Sequence, residues 1–328
     1  MARESESGRA AAGKVLVWGP PGESYWAGLA RLGDLVDFVV AQDEPTLARE
    51  LEEAEVLFVW SSAPDLERLW PRARRLRWVH SGLAGINNLL FPALVESEVK
   101  LSRSQGVYAD SLAEYALAAM LYFAKRLPQM VEAQRRHEWR KVAPADLRGA
   151  TLGVVGLGDI GGAVARRAKA FGMHVLGLRR TGGPTPEGVD ELLPLVALPA
   201  LLERSDYVVI TLPLTPATRG LIGEREFASC KPGAVLIDIA RGGIVEETAL
   251  LAALRGGRLG GAAMDVFARE PLPPDNPLWD APNLLISAHT VDNVPGWEAR
   301  VIDRFVENYR LYAAGRPLPG LVDKRRGY

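Results

Sequence analysis

Short apolar runs alternate with helix-forming stretches along most of the 328-residue chain. Residues 14–18, 35–40, 56–60 and 76–80 are apolar runs of strand length, and 24–32 and 46–53 between them carry helical spacing. Alternation of this kind predicts a parallel sheet with helices on both faces, because each parallel strand needs a crossover that a helix supplies. From about Ser111 the run SLAEYALAAMLYFAKRLPQMVEAQRRHEW reads as a long helix leading into a second unit. Pro128 is expected to kink or restart it, since proline lacks the N–H that a helix interior uses. Alternation then resumes at Thr151, with strands expected at 207–210, 234–237, 259–266 and 284–287 and a closing helix at about 295–314.

The most specific segment is TLGVVGLGDIGGAVARRAKAFGMHVLGLRR, residues 151–180. A strand run breaks into Gly156-Leu157-Gly158-Asp159-Ile160-Gly161, an alanine-rich helix follows, Gly172 closes it, and a second strand begins at His174. The first glycine suits a tight turn, the second a close backbone approach to pyrophosphate, and the third close helix packing. A bare glycine triplet also fills ordinary turns, but here strand, helix and second strand all fall where a dinucleotide site requires them. At the end of the second strand stand Arg179 and Arg180, with no acid until Glu187. A carboxylate there would accept from ribose hydroxyls, whereas a guanidinium fork suits a 2′-phosphate. The expectation is NADP(H) in preference to NAD(H), with NAD(H) still usable; the alternative is a solvated arginine pair at a strand end. The opening strand, by contrast, is followed by Gly19-Pro20-Pro21-Gly22 and not by such a fingerprint.

Composition narrows the classes. Forty acids nearly balance 39 bases, for a formal charge of −1, so the basic field of a general nucleic-acid binder is missing. One cysteine, Cys230, excludes an intramolecular disulfide and fits a reducing cytosol; its setting, FASCKPGAVLI, suggests a buried small residue. Four scattered histidines show no zinc-ligand spacing, and no metal is expected. The longest apolar run, 115–124, is too short for a bilayer, and residues 1–13 read as a mobile tail without a signal core. A cytoplasmic location is expected, without membrane or nucleic-acid partners.

Three later segments carry residues able to do chemistry. Asp238-Ile239-Ala240-Arg241-Gly242-Gly243 ends a strand and projects an arginine whose planar fork suits a small carboxylate. Met264-Asp265-Val266-Phe267-Ala268-Arg269-Glu270-Pro271 and Leu284-Leu285-Ile286-Ser287-Ala288-His289 bring acids and a histidine to strand ends. A histidine with a carboxylate at the mouth of a sheet moves a proton near neutral pH. Each residue has a plainer alternative: a surface arginine, a solvated loop acid, a packed imidazole.

In combination, GLGDIG, TLPLTPATRGLI, DIARGG, MDVFAREPLP and ISAH resemble the D-isomer-specific 2-hydroxyacid dehydrogenase family, in the family's order, over roughly residues 14–318. The resemblance implies an α/β fold of two doubly wound parallel-sheet domains, the nucleotide-binding Rossmann domain (111–290) inserted mid-chain in a flavodoxin-like substrate domain (14–110 and 291–328). It implies a catalytic trio of Arg241, holding the substrate carboxylate, His289, the acid/base, and Glu270, orienting the ring. Reduction would then fade in alkali as the imidazole loses its proton. The family's SGLAGINNL counterpart, 81–89 here, places Leu83, Ala84, Gly85 and Ile86 at the substrate. Gly156, Gly158 and Gly161, with Asp159 and Ile160 through their backbone, would take the pyrophosphate. Arg179 and Arg180 would meet the ribose, Leu212, Pro213 and Thr218 would flank the adenosine half, and Leu112-Ala113-Glu114 would face the nicotinamide. Ala240, Arg241, Asp265 and His289 would reach the nicotinamide end, Asp265 holding the carboxamide or bonding only to its own loop.

Three positions depart from the family pattern. His289-Thr290-Val291-Asp292-Asn293 lacks the glycine often found there and puts an acid near the nicotinamide; Arg179 replaces an acid; Thr211 stands where a histidine is frequent. Tyr108, Trp139 and Trp297 either close the substrate pocket or pack ordinarily. The 135–141 run resembles an exposed helical arm that joins two subunits, so a homodimer is expected. The implied activity is hydride transfer between NADP(H) and a 2-oxo acid such as glyoxylate, hydroxypyruvate or a larger one. Glu270 disfavours formate oxidation. The alternatives are an NAD-dependent phosphoglycerate dehydrogenase-like enzyme and a nucleotide-dependent corepressor of the same fold.

Overall fold

The computed structural model describes residues 13–19, 24–60, 64–180 and 182–328. The expected tail, Gly13 apart, lies outside the described residues, as do Pro20, Pro21, Gly22 and Thr181. The chain divides into two units, 1–107 with 296–328, and 108–295.

Among the described residues the first unit holds β1 (Gly13–Trp18), β2 (Val36–Ala41), β3 (Val56–Val59), β4 (Trp78–Ser81) and β5 (Lys100–Arg103), ordered β2-β1-β3-β4-β5. These five strands pair in parallel, and Ser102 of β5 adds a single antiparallel bridge to Leu321. β3 and β4 are buried at all four positions, as strands covered on both faces must be, and so read as unbroken apolar runs. The helix Glu44–Glu50 starts on Asp43, whose carboxylate accepts from the Thr46 N–H at 2.8 Å. The stretch expected to be helical at 24–32 is a 3₁₀ run, Ser24–Leu35, interrupted at Gly33 where φ is +53°. The closing helix, Trp297–Ala313, packs Phe305 flat on Phe58, ring centroids 4.3 Å apart.

The second unit holds β6 (Thr151–Val155), β7 (His174–Arg179), β8 (Glu191–Pro194), β9 (Tyr207–Ile210), β10 (Ala234–Asp238), β11 (Leu259–Met264) and β12 (Leu284–Ile286). Their order is β12-β11-β10-β9-β6-β7-β8, again parallel throughout. The order reverses between β6 and β9, the switch point where open α/β sheets bind ligands beyond their carboxyl ends. Both domains are therefore doubly wound α/β, with the Rossmann order in the mid-chain unit.

Pro128 restarts the long helix: Ala109–Ala124 ends, Arg126 turns left-handed at φ +57°, and Leu127–Arg135 begins with the proline in its first turn. The expected helical arm at 135–141 is not helical beyond Arg135. The helix stops at Arg135, His137 is left-handed at φ +57°, and Trp139 beyond it is 97% exposed in irregular chain. With no apolar face to bury, this segment lacks the packing that sustains a helix. No helix among the described residues is long and apolar enough to cross a membrane.

Candidate active site

The glycine segment leaves β6 at Val155 and enters the helix Asp159–Ala170 with Gly158 as its N-cap. Gly156 has φ +109°, a conformation side chains rarely tolerate. A Cβ on Gly161 would stand 2.0 Å from the Gly156 carbonyl oxygen, so this glycine sets the distance between helix and turn. At Gly158, no atom of the described residues beyond its own chain neighbours lies within 4 Å of the Cβ position. A turn only glycine can make, a helix start without a side-chain cap and an unobstructed middle glycine form a cradle that fits a pyrophosphate.

Two contacts invisible in the sequence hold this cradle. The Thr211 hydroxyl, just past β9, donates to the Gly156 carbonyl at 2.5 Å, tying the turn to the neighbouring strand. A methyl on Gly156 would also press on the Leu212 N and Cδ2 at 3.1 Å, so Leu212 lies against the turn. Thr218 is buried and closes its own loop, donating to Pro213 O at 2.7 Å and accepting from the Thr215 N–H at 2.8 Å. Arg179 ends β7 and donates to Gly182 O at 3.2 Å and Pro184 O at 3.4 Å, with Arg180 exposed beside it.

Adjacency of β10, β11 and β12 brings the remaining candidates to one sheet edge. Arg241 follows β10; its Nη1 donates to Ala240 O at 2.7 Å. Gly242 must be glycine, because a Cβ would fall 1.8 Å from Phe267 O, which seats the arginine loop on the loop after β11. Within that second loop Glu270 Oε1 accepts from the Phe267 N–H at 2.9 Å, while Oε2 accepts from His289 Nδ1 at 2.7 Å. His289 is itself left-handed, φ +48°, with its N–H donating to Asp265 O at 2.9 Å. The ion pair is partly solvated, its side chains 38% and 36% exposed, so its value lies in orientation more than in fold stability.

Asp265 is buried, and Oδ1 accepts from the Ser287 hydroxyl at 2.7 Å and the Thr290 N–H at 3.2 Å. Ser287 also lies 3.0 Å from the Tyr115 hydroxyl of the helix Ala109–Ala124. Sequence reasoning missed Ser287, Tyr115 and Thr211 as site residues. Asp292, the unexpected acid, is half-buried, and desolvation raises its carboxyl above the ordinary range while His289 and Arg241 draw it down. It therefore shares the field of His289, Asp265 and Arg241.

The loop Leu83-Ala84-Gly85-Ile86 belongs to the first unit, directly after β4. Leu83 N–H donates to Ser81 Oγ at 3.2 Å, and Arg103 Nη1 donates to Ala84 O at 3.0 Å. Trp297 stacks on Trp60 at 5.4 Å in that unit; Tyr108 is buried in the other. Leu112 and Ala113 are buried in their helix, with Glu114 exposed.

Residues 117–291 match the D-isomer specific 2-hydroxyacid dehydrogenase NAD binding domain. The glyoxylate reductase of Korarchaeum cryptofilum is 30% identical over 311 residues, 90% of this chain and 92% of that one. The D-3-phosphoglycerate dehydrogenase of Methanocaldococcus jannaschii is 33% identical over 281 residues, 84% of this chain but 53% of that one, so the match spans about half of that relative's length. Among solved structures, an NADPH-dependent glyoxylate/hydroxypyruvate reductase of Sinorhizobium meliloti, in complex with NADP and sulfate, gives a TM-score of 0.85 at 31% identity, covering 96% of this chain and 100% of that one. A domain match over more than half of the residues, joined to a relative covered nearly end to end, is decisive: the chain belongs to the D-isomer specific 2-hydroxyacid dehydrogenase family.

Proposed function

We propose that the chain reduces a small 2-oxo acid, glyoxylate, hydroxypyruvate or a larger one, to the D-2-hydroxy acid with NADP(H) preferred over NAD(H). The observation that carries this reading is the Glu270–His289 pair, fixed at the sheet edge that also presents Arg241. Gly156, Gly158, Asp159, Ile160 and Gly161 would hold the pyrophosphate, with Leu212, Pro213 and Thr218 beside the adenosine half. Asp265, Ala240 and His289 would stand at the nicotinamide end. When bound, the dihydronicotinamide supplies the hydride that reduces the carbonyl carbon.

The protein's own part is to bind, orient and protonate. Arg241 offers a planar fork to the substrate carboxylate and polarises the carbonyl oxygen. Glu270, an acceptor when ionised, keeps a proton on His289 Nδ1, so Nε2 is the nitrogen that donates to the new alkoxide. After donation the ring keeps its Nδ1–H on Glu270 and stays in place; oxidation runs the same proton backwards. Leu83, Ala84, Gly85 and Ile86 of the first unit are the further substrate-binding candidates of this reading, through their backbone amides.

Arg179 and Arg180 at the end of β7 support the phosphate-bearing cofactor, as does the NADP complex of the S. meliloti relative. Similarity to the M. jannaschii relative favours phosphoglycerate oxidation as the second reading. Leu127, Met130, Val131 and Trp139 leave apolar surface exposed in and beyond one helix, which supports a subunit-joining arm and a homodimer. A panel of glyoxylate, hydroxypyruvate, larger 2-oxo acids and 3-phosphohydroxypyruvate, each with NADPH and NADH, tests substrate and cofactor together. Turnover confined to the phosphorylated acid, or equal use of NADH, would reject the leading reading.

A further inference from the structure

Asp238 is the last residue of β10, three positions before Arg241, and is 0% exposed. Its backbone carbonyl accepts from the Asp265 N–H at 3.0 Å. Its Oδ1 accepts from the Ala240 N–H at 3.0 Å, and Ala240 O in turn accepts from Arg241 Nη1 at 2.7 Å. The carboxyl thus closes a turn on the N–H of Ala240, the residue whose carbonyl, one peptide further on, takes the Arg241 guanidinium. Its other oxygen, Oδ2, is buried and has no hydrogen-bond partner among the described residues.

A carboxylate needs acceptor sites filled on both oxygens, and burying it with one oxygen bare is costly. A neutral carboxylic acid in the same place leaves a far smaller debt. Burial and, after the Ala240 bond that opposes it, the neighbouring Asp265 act to retain the proton; Arg241 acts against them, and the balance pushes the carboxyl up to about 7. The charged and titratable groups around it come from several elements. Asp265, just past β11, and Arg241, in the loop after β10, act on Asp238 directly; Asp292, after β12, and Tyr115, on the helix Ala109–Ala124 and linked through Ser287, act on Asp265. The β9 end, Ile210-Thr211-Leu212, contributes none.

We propose that Asp238 is a positioning residue for Arg241: in its protonated form it holds the Ala240 N–H without competing for the guanidinium, and losing the proton weakens the grip on the substrate carboxylate. The proposal rests on the reading of Arg241 as the carboxylate anchor. Deprotonation places a buried negative charge beside Arg241, the proposed carboxylate anchor, so KM for the 2-oxo acid rises. The kcat is read from the same curves as a separate observable.

The test is hydroxypyruvate saturation with NADPH from about pH 6 to about pH 8.5, on the wild type, Asp238→Asn and Asp238→Ser. Wild-type KM is expected to rise roughly tenfold across that range. Asp238→Asn, which keeps an acceptor for Ala240 but cannot ionise, is expected to show a flat KM, and Asp238→Ser likewise, with a higher KM throughout. A KM that climbs equally in all three overturns the proposal, whereas a merely structural role would move KM without altering its pH dependence. Infrared difference spectra provide the readout that needs no turnover. A carboxylic-acid band in the wild type at about pH 6, lost by about pH 8.5 and absent from Asp238→Asn, supports the claim; its absence at about pH 6 overturns it even where both variants fail to fold. No turnover of any 2-oxo acid beside an intact band would instead sink the functional reading.

Discussion

Glu270 divides its two oxygens between a backbone and a ring, accepting from the Phe267 N–H at 2.9 Å and from His289 Nδ1 at 2.7 Å. The acid is thus fixed by its own loop before it orients the histidine, and the left-handed backbone at His289 turns the ring to meet it. Replacing Glu270 with Gln leaves one amide face that cannot accept from Nδ1 while Oε1 serves Phe267. Steady-state reduction of hydroxypyruvate by Glu270→Gln should lose roughly 10²-fold in kcat, and His289→Ala roughly 10²- to 10⁴-fold, the range general acid catalysis supplies. A His289→Ala enzyme with near wild-type kcat would remove the histidine from the mechanism.

On the proposed reading, cofactor choice turns on charge at the end of β7. Arg179 sits where a ribose-binding acid would stand and already leans on the 182–184 turn through its Nη2. Arg179→Asp should cut kcat/KM for NADPH by roughly 10- to 100-fold, since one charge-assisted phosphate contact is replaced by repulsion. The same variant should gain with NADH. An unchanged NADPH-to-NADH ratio would show that the pair is only solvated surface.

The fold was legible where strands are buried on both sides. β9, all apolar and all buried, coincides with its expected span of 207–210. Lys100–Arg103 and Glu191–Pro194 were not seen, and both are edge strands of their sheets. An edge strand buries less surface, so KLSR and ELLP carry no apolar run to read. The site divided in the same way. Residues that end parallel strands could be picked out because the topology sends them to one edge. Thr211, Ser287 and Asp238 act through bonds that no local pattern announces, Thr211 to a carbonyl 55 residues away. Asp238 was visible only as part of a motif, because its burial and bare oxygen are properties of the packed sheet.

The glycines of the cradle should separate folding from binding. A methyl at Gly161 meets Gly156 O at 2.0 Å and Thr211 Oγ1 at 2.9 Å, so Gly161→Ala must push the helix from the strand. It should lose about 1–3 kcal/mol of stability and melt earlier. Gly158 has extended backbone and no atom of the described residues beyond its own chain neighbours near its Cβ position, so Gly158→Ala should melt like the wild type. Its methyl would stand where the pyrophosphate approaches, and KM for NADPH should rise roughly tenfold or more. Equal thermal loss in both variants would mean that the middle glycine serves the fold alone.

In the other unit, His80 provides an acid-sensitive element apart from catalysis. The ring is 0% exposed, with Nδ1 2.7 Å from Ser102 Oγ and Nε2 3.2 Å from Ser104 Oγ. Ser102 already accepts from Trp78 Nε1 at 2.8 Å, so its own proton is best placed on Nδ1, leaving Nε2–H to donate to Ser104. Burial, with the nearby Arg304 adding to it, lowers the imidazole from 6.5 to about 3. Between those values the unfolded chain binds a proton that the folded chain refuses, so this group's contribution is complete above 6.5 and is lost as the pH falls toward 3. The full loss is at most about 5 kcal/mol. Denaturant unfolding of the wild type should therefore weaken from about pH 7 to about pH 4. His80→Asn should start less stable near neutrality, having lost one of the two serine contacts, and show a shallower decline. Parallel slopes for the two proteins would place the acid sensitivity elsewhere.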